Sequence, residues 1–233
     1  AIIGLTLTVL LGIVPMDTAV AGFGSSTVWM IAMAYFMSRG FINTGLGRRV
    51  ALVFVRLFGK RTLGLAYALI GVDLVTAPAT PSNTARAGGI VYPIIQSLAE
   101  TFGSDPKDGT QSKIGSFLVF AEFHGDLITS TMFMTAMAPN LVAVTLAKSL
   151  HITLSWMQWF LAGIVPGLIC LLVVPYLIYK MYPPEIKDTP NAKQWADDEL
   201  AKMGKMSLPE KIMGGVFLLA LVLWMLCSFI GLE

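Results

Sequence analysis

The chain has 233 residues, 55% of them hydrophobic and 13% charged, with a mean hydropathy of +0.73. Soluble domains carry about 25% charged residues, so the composition excludes an ordinary water-soluble domain and predicts an all-α, polytopic membrane protein. The formal charge of +2 says little by itself; where the charges fall says more.

Four stretches follow in chain order. Residues 1–60 read as N-terminal spans and a basic interfacial helix. Residues 2–16 are an apolar helix ending at Pro15 and Asp17, residues 17–27 a Gly/Ser/Thr connection, and residues 28–42 a second apolar segment. The start within an apolar run, without Met or a visible signal peptide, reads as a piece of a longer protein. Between Asp17 and Asp73 there is no acid, whereas Arg39, Arg48, Arg49, Arg56, Lys60 and Arg61 all fall there. By the positive-inside rule residues 39–61 face the cytoplasm. Residues 48–60 form an amphipathic helix with Arg49, Arg56 and Lys60 on one face, suited to lie in the interface plane of a lipid bilayer. Cations wedged between spans do not suit a nucleic-acid partner.

Residues 61–103 read as a re-entrant helical hairpin. Two arms, 62–80 and 85–102, flank the turn Pro81-Ser82-Asn83-Thr84, each arm roughly 27 Å long at 1.5 Å per residue. No charged flank marks the turn as a loop in water, and Asp73, Arg86 and Gly88-Gly89 favour burial in protein over lipid exposure. Two full spans would return the chain to the same side as well, so the charge rule does not separate hairpin from spans. A break at membrane depth is tolerated only where it lines a cavity or binds something, and Pro-interrupted apolar segments point to transporter binding sites.

Residues 104–150 read as a broken transmembrane helix, with a polar loop over 103–113 and a break around Thr129–Asn140. Residues 151–233 read as two spans, 156–179 and 211–231, each opened by a capping box, Ser155 with Gln158 and Ser207 with Glu210. Pro166 and Pro175 mark places for kinks in the first of them. Trp156 and Trp159 at one end, and Tyr176, Tyr179 and Tyr182 at the other, suit the two membrane interfaces. The connecting residues 180–206 read as a polar, Lys-containing cytoplasmic loop. Cys170 and Cys227 carry no pairing signal, and the closing Leu232-Glu233 reads as an appended remnant.

Ser82, Asn83 and Thr84 offer two hydroxyls, a carboxamide and the free N–H groups of a helix start, which suit a carboxylate; the same oxygens suit Na⁺. Arg86 either takes a second substrate carboxylate or pairs with Asp73 on the other arm. Glu122, His124 and Asp126 precede the second break and either line a polar crevice, pair with one another, relay protons or contact a substrate carboxylate. His124 and Asp126 do not share a helix face, which argues against a metal site.

The string Pro81-Ser82-Asn83-Thr84-Ala85-Arg86-Ala87-Gly88-Gly89-Ile90 resembles the first Ser-Asn-Thr signature of the divalent anion:sodium symporter family. Gly45-Leu-Gly-Arg-Arg49, Phe58-Gly-Lys-Arg-Thr-Leu63 and Thr135-Ala-Met-Ala-Pro-Asn140 resemble its citrate, tartrate and 2-oxoglutarate/malate translocator branch. Ser38–Thr44 and Tyr182–Pro190 lean toward the 2-oxoglutarate/malate group. The resemblance runs along the whole chain but covers only the first of the family's two inverted repeats. It implies a secondary transporter of C4/C5 dicarboxylates in the inner (plasma) membrane, working by alternating access, with no cofactor, no catalytic residue, a C-terminal repeat as partner and a homodimer as assembly. It implies that Asn83 and Thr84 contact a substrate carboxylate at mid-membrane and that the Thr135–Asn140 loop faces the hairpin tip and helps enclose an ion; the candidate substrate residues are then Ser82, Asn83, Thr84, Arg86, Thr135, Pro139 and Asn140, and the candidate sodium residues Ser82, Asn83 and Ala136. Sodium-coupled members carry a serine where this chain has Pro78, and Gly and Thr where it has Ala136 and Met137. Those departures favour exchange of one dicarboxylate for another over sodium-coupled symport of di- or tricarboxylates. A membrane-embedded enzyme using Glu122, His124 and Asp126 is the distant alternative.

Overall fold

The computed structural model describes the backbone of residues 2–230 and the side chains of all of these except 26, 27, 34, 79 and 227–230. Cys227 and the Leu232-Glu233 pair therefore lie outside the described residues. The regular elements are helical, as the composition predicts. In order they are α1 (Ile2–Leu10), α2 (Met16–Val20), α3 (Ser26–Thr44), α4 (Leu46–Phe58), α5 (Thr62–Thr76), α6 (Asn83–Arg86), α7 (Tyr92–Thr101), α8 (Gly115–Met132), α9 (Ala138–Ser149), α10 (Trp156–Met181), α11 (Asn191–Met203) and α12 (Leu208–Ile230).

The N-terminal stretch departs from expectation. α1 has nine residues, roughly 13 Å of helix, too short for a hydrocarbon core of about 30 Å. It ends before residue 16 because the chain turns at Gly12, with φ +68°, and then meets Pro15. The expected connection over 17–27 is itself partly helical, with α2 and a 3₁₀ turn at Ala21–Gly24. Together Met16–Gly24 and Val28–Thr44 form a helix pair bent by 56°, long and apolar enough to count as one broken span. α3 stops at Gly45, which takes φ +79°, a conformation that glycine adopts without strain.

Among the described residues two helices, α10 and α12, are individually long and apolar enough to cross a membrane, as in a multi-pass membrane protein. Both capping boxes are present: Ser155 with Gln158 at α10, and Ser207 with Glu210, whose backbone and side chains reciprocate at 2.7 and 3.3 Å. α10 continues through Pro166 and Pro175.

α8 lies antiparallel to α10. The Phe117 ring is 5.6 Å from Tyr179 at one end, and Trp159 Nε1 donates to the Thr131 carbonyl at 2.9 Å at the other. The contact is close because Gly163 and Gly167, four apart on α10, face Met132. A Cβ on Gly163 would stand 2.8 Å from the Met132 carbonyl oxygen, and one on Gly167 would stand 2.4 Å from Met132 Cγ. Small residues at this spacing are a device for bringing apolar helices together where hydrophobic burial gives no driving force.

The expected polar loop over 180–206 is a correction. It holds α11, whose Ala192 and Ala196 are fully buried against α4. Their spacing of four puts both on one face, where small side chains let α4 approach. Arg56 pairs with Asp197 at 2.9 Å and Arg48 with Glu199 at 2.6 Å. Arg49 reaches Glu210 at the start of α12, with Nε 2.7 Å from Oε1. So most of the basic face of α4 is matched by acids on α11 and α12, while Val53, Leu57 and Phe58 stay exposed for lipid.

Candidate functional site

Chain segments 61–80 and 82–102 fold back on each other as a hairpin. Leu65, Leu69 and Val72 of α5 share one buried cluster with Val91, Ile95 and Leu98 of the returning arm. Both feet stand at one end of the bundle, held by the strap Glu185–Thr189. The Thr62 amide donates to the Lys187 carbonyl at 3.0 Å and the Thr189 amide to the Lys60 carbonyl at 3.0 Å, at the first foot. The Glu185 and Ile186 amides donate to the Ser112 and Lys113 carbonyls at 3.2 and 3.0 Å, beyond the second. One strap touching both feet requires arms that leave on the same side.

At the tip, Ser82 caps α6 by accepting from the Ala85 amide at 3.2 Å, and Asn83 Oδ1 accepts from the Thr84 amide at 2.9 Å. Ser82 and Asn83 are half-buried and Thr84 is exposed. α6 lasts only one turn and passes into a π-helical turn at Ala87–Val91 before α7. Such turns recur at functional sites; the sequence signal for it was the Gly88-Gly89 pair.

Behind the tip lies Arg86, fully buried. Its Nε donates to Asp73 Oδ1 at 2.8 Å; Nη1 donates to the carbonyls of Thr80 and Ala136 at 2.8 and 2.7 Å; Nη2 donates to Ser130 Oγ at 2.8 Å and Asp126 Oδ1 at 3.0 Å, with Asp73 Oδ2 at 3.4 Å. A guanidinium has five N–H donors, and all five have protein acceptors. In this arrangement Arg86 pairs with Asp73, joined by Asp126. Thr129 donates from Oγ1 to Asp73 Oδ2. Thr80, Thr129 and Ser130 were not singled out from sequence, although Thr129 and Ser130 fall three and four residues after Asp126, on its own helix face.

The second break abuts the first. α8 ends at Met132 and α9 starts at Ala138. Thr135 donates from Oγ1 to the Pro78 carbonyl and accepts from Trp156 Nε1 at 3.2 Å. Asn140 donates from Nδ2 to the Ser130 and Phe133 carbonyls at 2.8 and 3.0 Å, supplying donors to carbonyls at the interrupted end of α8. Thr135 and Asn140 are buried, and Pro139 is exposed. Of the seven residues expected to bind substrate, Ser82, Asn83, Thr84 and Pro139 keep accessible surface, whereas Arg86, Thr135 and Asn140 brace the two breaks. A cavity of about 270 Å³ opens beside them between Pro81, Thr135, Leu141, Met33, Met37 and Trp224.

α8 runs 18 residues before it breaks, roughly 27 Å, and the break falls beside the first turn of α10, as the Trp156–Thr135 contact records.

The oxygens expected for sodium already have partners. The Ala136 carbonyl faces the Arg86 guanidinium at 2.7 Å. Ser82 Oγ and Asn83 Oδ1 each serve a backbone amide. Glu122, His124 and Asp126 do not converge either. Asp126 joins Arg86, while His124 packs its ring 4.5 Å from Phe120 and 5.3 Å from Phe123 and bonds the Phe120 carbonyl through Nδ1 at 2.9 Å. Among the described residues no cluster of three His, Cys, Asp or Glu is set to hold a metal ion.

Comparison with known proteins gives a consistent picture. The family model described as the sodium:sulfate symporter transmembrane region matches residues 1–233. YflS of Bacillus subtilis (strain 168), provisionally named a malate transporter, is 53% identical over 225 residues, 96% of this chain and 47% of the relative. The L-tartrate/succinate antiporter of Escherichia coli (strain K12) is 45% identical over 210 residues, 90% of this chain and 43% of the relative. The chloroplastic dicarboxylate transporter 1 of Arabidopsis thaliana is 44% identical over 234 residues, 100% of this chain and 42% of the relative. The chain thus spans about half the length of the curated relatives it matches.

Proposed function

The chain belongs to the sodium:sulfate symporter transmembrane-region family, and from that premise we propose that the whole protein is a secondary transporter exchanging C4/C5 dicarboxylates by alternating access. One observation carries this reading: the Ser82-Asn83-Thr84 tip is open to a ligand while the residues behind it are locked to one another through Arg86. A tip of hydroxyls, a carboxamide and helix-start amides receives a carboxylate without a cationic side chain. The names of the relatives, which print dicarboxylate, malate and tartrate/succinate, support that substrate class.

Exchange without sodium is the coupling we favour. Pro78 brings no hydroxyl, Met137 brings only a thioether, and the Ala136 carbonyl is engaged by Arg86; hard cations want several oxygens at once. A second, inverted repeat and a homodimer complete the transporter in this reading. Its location is the plasma membrane, with residues 39–61 and 180–206 cytoplasmic, as their cations favour. Enzymatic use of Glu122, His124 and Asp126 lacks support, since the three do not converge: Asp126 is bonded to Arg86 and His124 is turned to Phe120 and Phe123.

Counterflow in liposomes tests the reading. Labelled malate, succinate or 2-oxoglutarate is expected to enter only when unlabelled dicarboxylate is inside, at the same rate in sodium and in choline buffers. Steep sodium dependence with no internal substrate would replace the exchanger by a symporter.

A further inference from the structure

Glu122 is left out of the Arg86 network although it is next to it. It is 4% exposed, and neither carboxylate oxygen has a hydrogen-bond partner. It lies one turn before Asp126 on the same face of α8. The charged groups that act on it are Asp73 from α5, Asp126 from α8 itself and Arg86 from α6. The charges of the other neighbouring helices are turned elsewhere: Glu100 of α7 accepts from Gln96 at an exposed position, and Lys180 of α10 lies over Tyr176.

Asp73, Asp126 and Glu122 thus set three carboxyl groups against one guanidinium, two charges in excess if all are ionised. Asp73 and Asp126 are each bonded to Arg86, so the carboxyl with no donor is the one that burial most favours as the neutral acid. A buried carboxylate without donors or a counter-ion is far more costly than the neutral acid. A metal ion would relieve the charge only with several oxygens around it, and among the described residues no group of three His, Cys, Asp or Glu is set to hold one. A proton needs one oxygen. We propose that Glu122 is a proton-binding site, neutral in this conformation, whose proton governs the transport cycle. When the cycle opens this pocket, the Oε–H bond breaks, the proton passes to the water admitted there, and the carboxylate left behind repels the incoming dicarboxylate until it is reprotonated.

The control of transport rests on the exchanger reading above; the proton itself does not, and two measurements keep them apart. The first is infrared spectroscopy of the whole protein in liposomes at neutral pH. A protonated-carboxyl band is expected in the wild type and not in Glu122→Gln; spectra that match in this region overturn the proposal. Glu122→Met, of similar volume, serves if the glutamine variant does not fold and should lack the same band. The second is the pH profile of counterflow. Wild-type exchange is expected to fall at least tenfold on the alkaline side, and Glu122→Gln, fixed in the neutral form, to lose that fall. An identical alkaline limb in the variant overturns the control. A wild type that exchanges no dicarboxylate at any pH sinks the transporter reading instead, and the infrared band still decides the proton site.

Discussion

Arg86 Nη1 donates to the carbonyl oxygen of Ala136 at 2.7 Å, across the boundary between the hairpin and the broken helix. The same nitrogen donates to the Thr80 carbonyl at 2.8 Å. Two helices are interrupted, each interruption frees a carbonyl, and one side chain supplies the donor to both. An unpaired backbone group inside a membrane costs several kcal/mol, so Arg86 makes the paired breaks tolerable. It also fixes their distance: the hairpin tip cannot drift from Thr135 without breaking a charge-assisted bond, which is about twice as strong as a neutral one.

Arg86→Ala should therefore act on stability before it acts on transport. Removing one partner of a buried ion pair leaves the others uncompensated and costs about 3–5 kcal/mol. The loss is expected as a lower midpoint of thermal unfolding in detergent. Arg86→Lys should recover part of it, because an ammonium supplies charge but not a planar fork reaching Asp73, Asp126 and two carbonyls at once. An alanine variant that melts like the wild type would refute the bracing role.

Thr84 should behave in the opposite way. It is exposed, and its hydroxyl bonds no protein group among the described residues. Thr84→Ala is expected to change stability by no more than about 0.5 kcal/mol. If the hydroxyl meets a substrate carboxylate, its loss removes about 0.5–1.5 kcal/mol of hydrogen bonding, up to roughly tenfold in KM. Counterflow over a range of dicarboxylate concentrations measures this, and unchanged KM would move the site away from Thr84.

The two prolines and three small polar residues around Ser82 made the hairpin legible, because each is a poor helix interior residue in an apolar run. The same held for the Thr129–Asn140 break. The Arg86–Asp73 pair, 13 residues apart, is one of the two readings of Arg86 because the arms of a hairpin face each other. Asp126, 40 residues from Arg86, could not be read as a partner, since pairing at that separation depends on how α8 packs, which no local pattern encodes. α11 was missed for a related reason. Its buried face consists of Ala192 and Ala196, small enough to be silent in a hydrophobic pattern but decisive once α4 lies against them.

Gly163 and Gly167 should differ although both touch Met132. At Gly163 the added methyl meets the Met132 carbonyl oxygen at 2.8 Å, which is backbone and fixed by the end of α8. At Gly167 it meets Met132 Cγ and Sδ at 2.4 and 2.5 Å, a flexible side chain that can turn away. Gly163→Ala is expected to cost about 1–3 kcal/mol through overpacking and to resist rescue by Met132→Ala. Gly167→Ala should cost less, and Met132→Ala should relieve it. A double-mutant cycle on thermal stability separates the two; equal rescue at both glycines would contradict the packing.

Acid should loosen α11 from α4 through Glu199. The Lys202 ammonium donates to Glu199 Oε1 at 2.6 Å and holds the carboxyl below its ordinary range; Arg48 on Oε2 at 2.6 Å acts in the same sense, and partial burial opposes both. A carboxyl held lower in the folded state than in the unfolded one stabilises the fold fully above its unfolded pKa, about 4.3. That contribution is lost as pH falls through the folded value, because the unfolded state then takes up the proton first. Amide exchange over residues 191–203, corrected for its intrinsic pH dependence, should therefore stay slow from neutral pH down to about pH 4 and accelerate below it. High salt should bring the same loosening at neutral pH, since Arg48 and Lys202 are solvent-exposed and exposed pairs are screened. Glu199→Gln should exchange faster at neutral pH and show a weaker response to acid. A variant with the wild-type acid response would show that Glu199 is not the switch.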